Sequence, residues 1–265
     1  MIAGRQRLSE RDRWFGLLYG RPQARMTTAE DLVLSMDQAG VDRAVTFGFG
    51  WDDPCPCAEG NDYVMGAVRR YPDRLIGFAC LQVRNWRAAE RELARCLAGG
   101  MRGIGELMPD GQGFRIDDAK TMAPLAEAAE RLGLPLLLHT NEPVGHEYPG
   151  KGEVGPELIY RFARNFPRVN LVCAHWGGGL PFYELMPEVR EALANVFYDT
   201  AASPYLYNDA IFPAVASWAG RKLLWGTDYP LVGQRRFLER VQSTGLAQGE
   251  MAAILGGNAQ ELLRL

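Results

Sequence analysis

Several features are missing from this chain of 265 residues, and each absence excludes a class of protein. No apolar run approaches the roughly 20 residues that a bilayer-spanning helix needs. The first ten residues are polar and lack the apolar segment of a signal peptide. The net charge is −3 and no basic tract stands out. Neither nucleic acid nor a membrane is therefore an expected partner.

Signatures of covalent and nucleotide chemistry are missing as well. The chain has no G-x-S-x-G nucleophile elbow, so covalent acyl catalysis has little support. No glycine-rich phosphate-binding motif follows the first predicted strand, which argues against a dinucleotide-binding fold. Histidine is scarce, with three in the whole chain, and none precedes His139.

The cysteines indicate a reducing environment. There are five, an odd number, and Cys80 and Cys173 lie in apolar runs typical of buried strands. We expect them to be reduced, and the protein to be cytoplasmic. Cys55 and Cys57 form an isolated C-x-C without the second pair of ligands that a zinc site needs, so we predict a loop over residues 50–60.

Apolar runs alternate strictly with helical patterns along the chain, which indicates one α/β domain over residues 1–265. The predicted strands cover residues 44–49, 75–81, 101–107, 135–139, 169–174, 195–200 and 222–227. Such alternation predicts a parallel sheet with right-handed crossovers. Seven strands in this length favour a TIM-like (β/α)8 barrel that lacks one strand over an open doubly wound sheet.

Local signals give further expectations. Thr27 and Glu30 predict a capping box for a helix that runs to residue 39. Residues 1–20 are expected to form a short helix or an ordered loop. We also predict a helix over residues 181–194.

Three of the predicted strands end in residues that can bind metals or move protons. His139, His175 and Asp228 each follow an apolar run, and a triple glycine comes soon after His175. Because the carboxyl ends of parallel strands meet at one edge, we expect these side chains to converge. The alternatives are hydrogen-bonded core histidines and a helix N-cap at Asp228.

Two more carboxylates end strands. Glu106 lies between glycines in Gly103-Ile104-Gly105-Glu106, and it is either a functional group or the partner of an arginine inside the barrel. Asp199 could orient a catalytic histidine or cap a turn, and we favour the structural role.

Candidate substrate contacts lie nearby. Glu142 and His146 belong to a long loop over residues 140–155, which would overhang the carboxyl-end face of a barrel. Trp176 follows His175 and could line a pocket. The alternatives are a solvated loop histidine and an aromatic side chain that packs in the core.

These residue types suit a divalent metal, because imidazole nitrogens and carboxylate oxygens are the ligands that Zn²⁺ and related ions take. A bound metal would lower the pKa of a water ligand toward about 7 and make hydroxide available. A second carboxylate or histidine could then carry the proton.

Four segments resemble the amidohydrolase superfamily, in the branch that includes aminocarboxymuconate-semialdehyde decarboxylase. They are PLLLHTNEP, CAHWGGGLPF, LLWGTDYP and GGNAQELL, in the family's order. The resemblance implies a distorted (β/α)8 barrel with a divalent metal at its mouth. It implies that His139 is a ligand, that His175 is a ligand or a proton shuttle, and that Asp228 is both ligand and base. Glu106 would match a ligand carboxylate used by some members.

One departure from this family is plain. Its members begin with a strand bearing His-x-His, and this chain shows no such motif. We therefore expect the first strand to be missing, and Glu106, His139, His175 and Asp228 to form the ligand set. The metal would be Zn²⁺ foremost, with Mn²⁺ as the alternative. Residues 1–20 or a partner subunit would cover the exposed sheet edges, and a homodimer is a candidate assembly.

The sequence thus predicts a metal-dependent hydrolase that attacks a small polar organic substrate with a metal-activated water. The alternative is a non-oxidative decarboxylase on the same site. A barrel that lost its site and serves as a binding or scaffold protein is the rival from another class.

Overall fold

A computed structural model of the chain describes the backbone of residues 2–265 and the side chains from residue 5 onward. Seven parallel strands form one curled sheet, in which each strand pairs with the next along the chain. The strands are β1 (Ala44–Thr46), β2 (Leu75–Ala79), β3 (Gly103–Leu107), β4 (Leu136–Leu138), β5 (Leu171–Cys173), β6 (Val196–Asp199) and β7 (Leu223–Leu224). The predicted α/β fold, an incomplete TIM-like barrel, is confirmed.

Helices separate the strands, and two of them precede the first helix of the barrel. They are α1 (Ile2–Arg11), α2 (Arg13–Tyr19), α3 (Ala29–Ala39), α4 (Pro54–Arg70), α5 (Trp86–Ala98), α6 (Pro109–Gln112), α7 (Ala119–Leu132), α8 (Pro156–Asn165), α9 (Pro187–Ala192), α10 (Ser203–Leu206), α11 (Ile211–Ala219), α12 (Gln234–Gln242), α13 (Gln248–Ala252) and α14 (Asn258–Leu263). Tight 3₁₀ turns cover His175–Leu185 and Gly220–Lys222, and a π-helical turn covers Ala253–Gly257.

Successive side chains of a strand point to opposite sides of the sheet. The strands β2, β4 and β5 are buried on both sides, whereas β1 is only partly buried. One face contributes Ile104, Leu136 and Leu171 to a large cluster with the surrounding helices. The other contributes Leu137 and Val172 to a smaller cluster, which also contains Leu263 of α14. The sheet is therefore a packed core that presents only its strand ends to ligands.

The first and last strands do not pair with each other in the part of the chain that is described. On the outside, α3 contacts α12, and the Tyr229 hydroxyl donates a hydrogen bond to the Asp31 carbonyl at 3.4 Å. These contacts bridge the gap between β1 and β7 where an eighth strand would complete the barrel.

The amino-terminal helix α2 packs on loops at the carboxyl ends of the strands. Phe15 stacks on Trp51 with ring centroids 4.9 Å apart, and the Asp12 carboxylate accepts a hydrogen bond from the Asp52 amide at 3.2 Å. Residues 2–19 thus form a helix pair near the mouth of the barrel, and residue 1 lies outside the described part. That residues 1–20 or a partner subunit cover the sheet edges stays a prediction.

Three local predictions were wrong. Residues 54–60 are not a loop but the start of α4, since the Asp53 side chain accepts from the Cys55 amide at 2.8 Å and Pro54 occupies the first turn. The capping box of α3 is formed by Thr28 and Asp31, one residue later than predicted.

The helix expected over residues 181–194 is shorter. Left-handed backbone after β5 leads into tight turns, and regular helix begins only at Pro187. All five cysteines are free. Within the described residues, no helix combines the length and apolar character needed to cross a membrane.

Candidate metal centre

Three neighbouring strands bring Glu106, His139 and His175 to one point at the mouth of the barrel. The Nδ1 atom of His139 lies 3.0 Å from Oε1 of Glu106 and 3.3 Å from Nε2 of His175. One ligand atom from each residue lies within 4.8 Å of the others. Three of the four predicted ligands therefore converge.

These spacings fit a metal ion. With metal–ligand distances of about 2.1 Å, adjacent donor atoms lie about 3.0 to 3.4 Å apart at octahedral or tetrahedral angles. Two of the three separations, 3.0 and 3.3 Å, fall in this range, and the third pair of donor atoms lies within 4.8 Å. Two imidazoles and a carboxylate are ligands that both zinc and manganese accept.

The ring of His175 is oriented by a backbone carbonyl. Its Nδ1 lies 3.1 Å from the Ala201 carbonyl oxygen, which can only accept, so Nδ1 carries a proton. In the neutral ring, Nε2 then offers its lone pair to the cluster. A backbone partner of this kind is typical of histidines that bind metals.

The ring of His139 is oriented the other way round, with Nδ1 and not Nε2 facing the cluster. Its Nε2 lies 3.4 Å from the amide nitrogen of Asn141. Asn141 is itself fixed, because its oxygen accepts from the Gly152 amide at 2.9 Å and its nitrogen donates to the Tyr148 hydroxyl at 2.9 Å. Nε2 of His139 is therefore an acceptor, and in the neutral ring Nδ1 donates to Glu106. A metal at Nδ1 must displace that proton.

Acidic groups make the cluster attractive to a cation. Burial tends to raise the pKa of Glu106, but the hydrogen bond from His139 and the charges of both histidines lower it below its usual value. Burial tends to lower the pKa of His175, but Asp228, Glu106 and Asp199 raise it above its usual value. The site thus favours added positive charge.

Asp199 anchors the backbone around His175. Its Oδ1 accepts hydrogen bonds from the amides of His175 at 3.0 Å and Ala201 at 2.9 Å. Burial raises the pKa of Asp199 to about 6. These contacts match the structural role that we favoured, since they join the end of β5 to the loop after β6.

The turn after β5 is unusual because five consecutive residues, 175–179, are left-handed. His175 and Trp176 have φ of 56° and 59°, a conformation that costs about 1–3 kcal/mol per non-glycine residue. At Gly178, with φ of 62°, a Cβ atom would clash with the Asn141 carbonyl oxygen. Only glycine permits the loop after β4 to approach the turn so closely.

Asp228, the fourth predicted ligand, does not converge with the other three, although its charge acts on His175. It is not among the three residues whose ligand atoms converge, and it follows the short strand β7 with a φ of 54°. Solvent reaches its side chain, although protein surrounds it on most sides. Burial and the charge of Glu106 raise the pKa of Asp228, while His175 and His139 oppose the shift.

The three predicted substrate contacts, Glu142, His146 and Trp176, lie in different environments. Trp176 is fully buried and donates a hydrogen bond to the Ser203 hydroxyl at 3.0 Å, so it packs in the core and the predicted contact is wrong. His146 is exposed in the long loop, and its ring is tilted by 44° against that of Tyr148 with centroids 5.5 Å apart. Glu142 is half-buried beside the turn after β5.

Sequence reasoning missed two residues near the centre. Asn141 orients His139, and its position two residues further along the loop was an available signal. Tyr19 of α2 is close enough that Asp228 and Glu106 act on it: burial, then these two charges, raise its pKa. Nothing in the sequence connects Tyr19 to strands that follow so far along the chain.

Comparisons with known proteins agree with this architecture. Residues 10–265 match a family model described as amidohydrolase. Gamma-resorcylate decarboxylase of Polaromonas sp. (strain JS666) is 22% identical over 249 residues, covering 77% of this chain and 75% of that protein. The 2-amino-3-carboxymuconate-6-semialdehyde decarboxylase of Dictyostelium discoideum is 24% identical over 241 residues, covering 77% and 65%.

A solved structure shows the same fold. The dihydroxybenzoic acid decarboxylase of Polaromonas sp. JS666, with bound manganese and the inhibitor 2-nitroresorcinol, superposes with a TM-score of 0.73. It is 17% identical, and the match covers 98% of this chain and 93% of that one. At this identity the likeness establishes the fold alone.

Proposed function

This chain belongs to the amidohydrolase family, and we propose that it catalyses the metal-dependent, non-oxidative decarboxylation of a hydroxylated aromatic carboxylate. The observation that carries the proposal is the convergence of Glu106, His139 and His175 within 4.8 Å at the carboxyl ends of three strands. The relatives named above support decarboxylation, the alternative of the sequence analysis, better than hydrolysis. Hydrolysis stays a prediction.

The metal we propose is a divalent cation, Mn²⁺ before Zn²⁺, because a related fold holds manganese. Glu106, His139 through Nδ1 and His175 through Nε2 would hold it. When bound, such an ion supplies a positive charge that can orient the substrate carboxylate and a neighbouring oxygen. The convergence of these side chains also argues against a barrel that has lost its site.

Asp228 is the group that we assign to proton delivery. Its raised pKa favours the protonated form, and solvent access lets it regain a proton after each turnover. The proton passes to the ring carbon that bears the carboxylate. A C–H bond forms there and the C–C bond breaks, so the products are CO₂ and the arene.

The test is to incubate the manganese-loaded protein with 2,6-dihydroxybenzoate in D₂O and to follow CO₂ and product. We expect CO₂ release and one deuterium at the carbon that lost the carboxylate. His139→Ala, which removes the central ligand, is the control and should release none. Stoichiometric metal without CO₂ from this or other hydroxylated benzoates would exclude the proposal.

A further inference from the structure

One carboxyl oxygen of Glu142 lacks a hydrogen-bond partner. This oxygen, Oε1, is enclosed by protein and has no partner within the described residues. An enclosed carboxyl oxygen without a donor is costly, because water has been removed and nothing replaces it. A buried group of this kind calls for an explanation, and a ligand that supplies the missing donor is one.

The position of Glu142 is fixed by the backbone. The peptide that joins Asn141 to Glu142 crosses directly over Gly178, whose missing side chain leaves room for it. Glu142 therefore lies where the loop after β4, which follows His139, meets the left-handed turn that begins at His175.

The carboxyl group of Glu142 interacts electrostatically with the metal centre. Burial raises its pKa, while a hydrogen bond from its own backbone amide and the charges of His175 and His139 act in the opposite direction. Burial and the charge of Glu142 also raise the pKa of Tyr207, whose hydroxyl lies near Gly179. Glu142 is thus near enough to interact electrostatically with both histidines and with Tyr207.

We propose that Glu142 is a specificity-determining residue that accepts a hydrogen bond from a hydroxyl or amino group of the substrate. This assignment rests on the proposed function, because it requires a substrate held beside Glu106, His139 and His175. A substrate with such a donor satisfies the carboxyl group, whereas one without it leaves the group unpaired. A site that is built to hydrogen-bond a substrate group rejects analogues without that group strongly, because its buried polar atom is then left unpaired.

The test uses ligands that cannot lose CO₂, so that binding is measured apart from turnover. The probes are 2-nitroresorcinol, its dimethyl ether and 2-nitrobenzene-1,3-diamine, titrated calorimetrically into the manganese-loaded protein. The ether lacks donors, and the diamine offers N–H in place of O–H. Each is measured on the wild type and on Glu142→Leu, which fills the same space without an acceptor.

We expect the wild type to prefer one or both donor-bearing probes over the ether. In Glu142→Leu this preference should fall about tenfold or more, since a hydrogen bond to a charged group is lost. The Tm of the ligand-free variant should equal or exceed that of the wild type, because an unpartnered carboxyl has been removed. A structural role for Glu142 would lower the Tm instead.

Glu147→Leu is the matched control, in the same loop and with a side chain 85% exposed. It should change neither the preference nor the order of affinities. If the wild type binds none of the probes, the proposed function fails and this assignment with it. If it binds them and the preference survives in Glu142→Leu, or the Tm falls, the assignment alone is overturned.

Discussion

The amide nitrogen of Asn141 lies 3.4 Å from Nε2 of His139 and makes that ring nitrogen an acceptor. The proton of neutral His139 is thereby kept on Nδ1, the atom that faces Glu106 at 3.0 Å and His175 at 3.3 Å. A residue outside the ligand set thus decides how readily the ligand set accepts a metal.

Replacing Asn141 with aspartate should tighten metal binding. The carboxylate has the same shape, can still accept from the Gly152 amide, and can accept from the Tyr148 hydroxyl. It would also draw the His139 proton to Nε2 and free Nδ1. We expect a gain of about tenfold in Mn²⁺ affinity, measured by EPR titration. An unchanged or weaker affinity would contradict the tautomer assignment.

Metal uptake by the wild type should release protons. Burial tends to lower the pKa of His175, but Asp228, Glu106 and Asp199 raise it above its usual value, and a metal at Nε2 must displace the proton of the charged ring, so apparent affinity should rise with pH. Proton release on adding Mn²⁺ can be measured with an indicator dye in weak buffer.

Substitution of a converging residue should remove the metal, whereas substitution of Asp228 should remove activity and leave the metal bound. His175→Ala should lose most of its metal, because it removes one of three donors. Asp228→Asn should keep near-stoichiometric metal by elemental analysis, yet lose about 10²–10⁴-fold in turnover through loss of its proton. Loss of the metal in Asp228→Asn would instead restore the four-ligand prediction.

Gly178 should tolerate no side chain. Gly178→Ala would place a Cβ atom against the Asn141 carbonyl at a φ of 62°, and we expect it to cost about 1–3 kcal/mol in the free energy of unfolding. Gly249→Ala is the matched control, because its Cβ meets nothing within 4 Å and it lies in α13. There the change should be neutral or stabilising by up to about 1 kcal/mol. Urea unfolding of both variants measures these changes in the free energy of unfolding, and an equal effect of the two substitutions would contradict the prediction.

Glu92 should contribute to the loss of stability in acid. Burial tends to raise its pKa, but Arg95 and Asn61 outweigh this and lower it below its usual value. A carboxylate with a depressed folded pKa stabilises above the unfolded pKa, about 4.3, and loses this effect as pH falls through the folded value. Unfolding of Glu92→Gln should therefore be less sensitive to pH below about 5, by a small amount because solvent screens the Arg95 contact. If the free energy of unfolding of Glu92→Gln falls as steeply with decreasing pH as that of the wild type, the prediction is wrong.

The strands and their terminal residues could be predicted from the sequence because they depend on local patterns. Apolar runs such as Leu171–Cys173 form a strand wherever they are buried, and alternation with helices makes the sheet parallel. Parallel strands share one carboxyl edge, so Glu106, His139 and His175 had to lie near one another. The start of α4 was not predicted, although Asp53 is a typical N-cap residue and Pro54 is typical of a first helical turn.

Other features depend on contacts between distant segments. Asp228 was expected among the ligands, but the short β7 and a left-handed residue set it apart from the cluster. Trp176 was expected at the substrate, but the left-handed turn sends its ring into the core. Tyr19 reaches the centre only because α2 packs across strand ends that follow it in the chain.

The sequence by itself determined the order of the elements, the parallel sheet and the four candidate ligands at the strand ends, since periodicity and strand ends are local properties. Only the tertiary structure decided which three of these candidates converge, which nitrogen of each histidine faces the centre and which carboxyl oxygen is left without a partner. Those outcomes depend on hydrogen bonds from Asn141 and Ala201 and on the approach of one loop to Gly178. Contacts of this kind join positions whose spacing along the chain carries no signal.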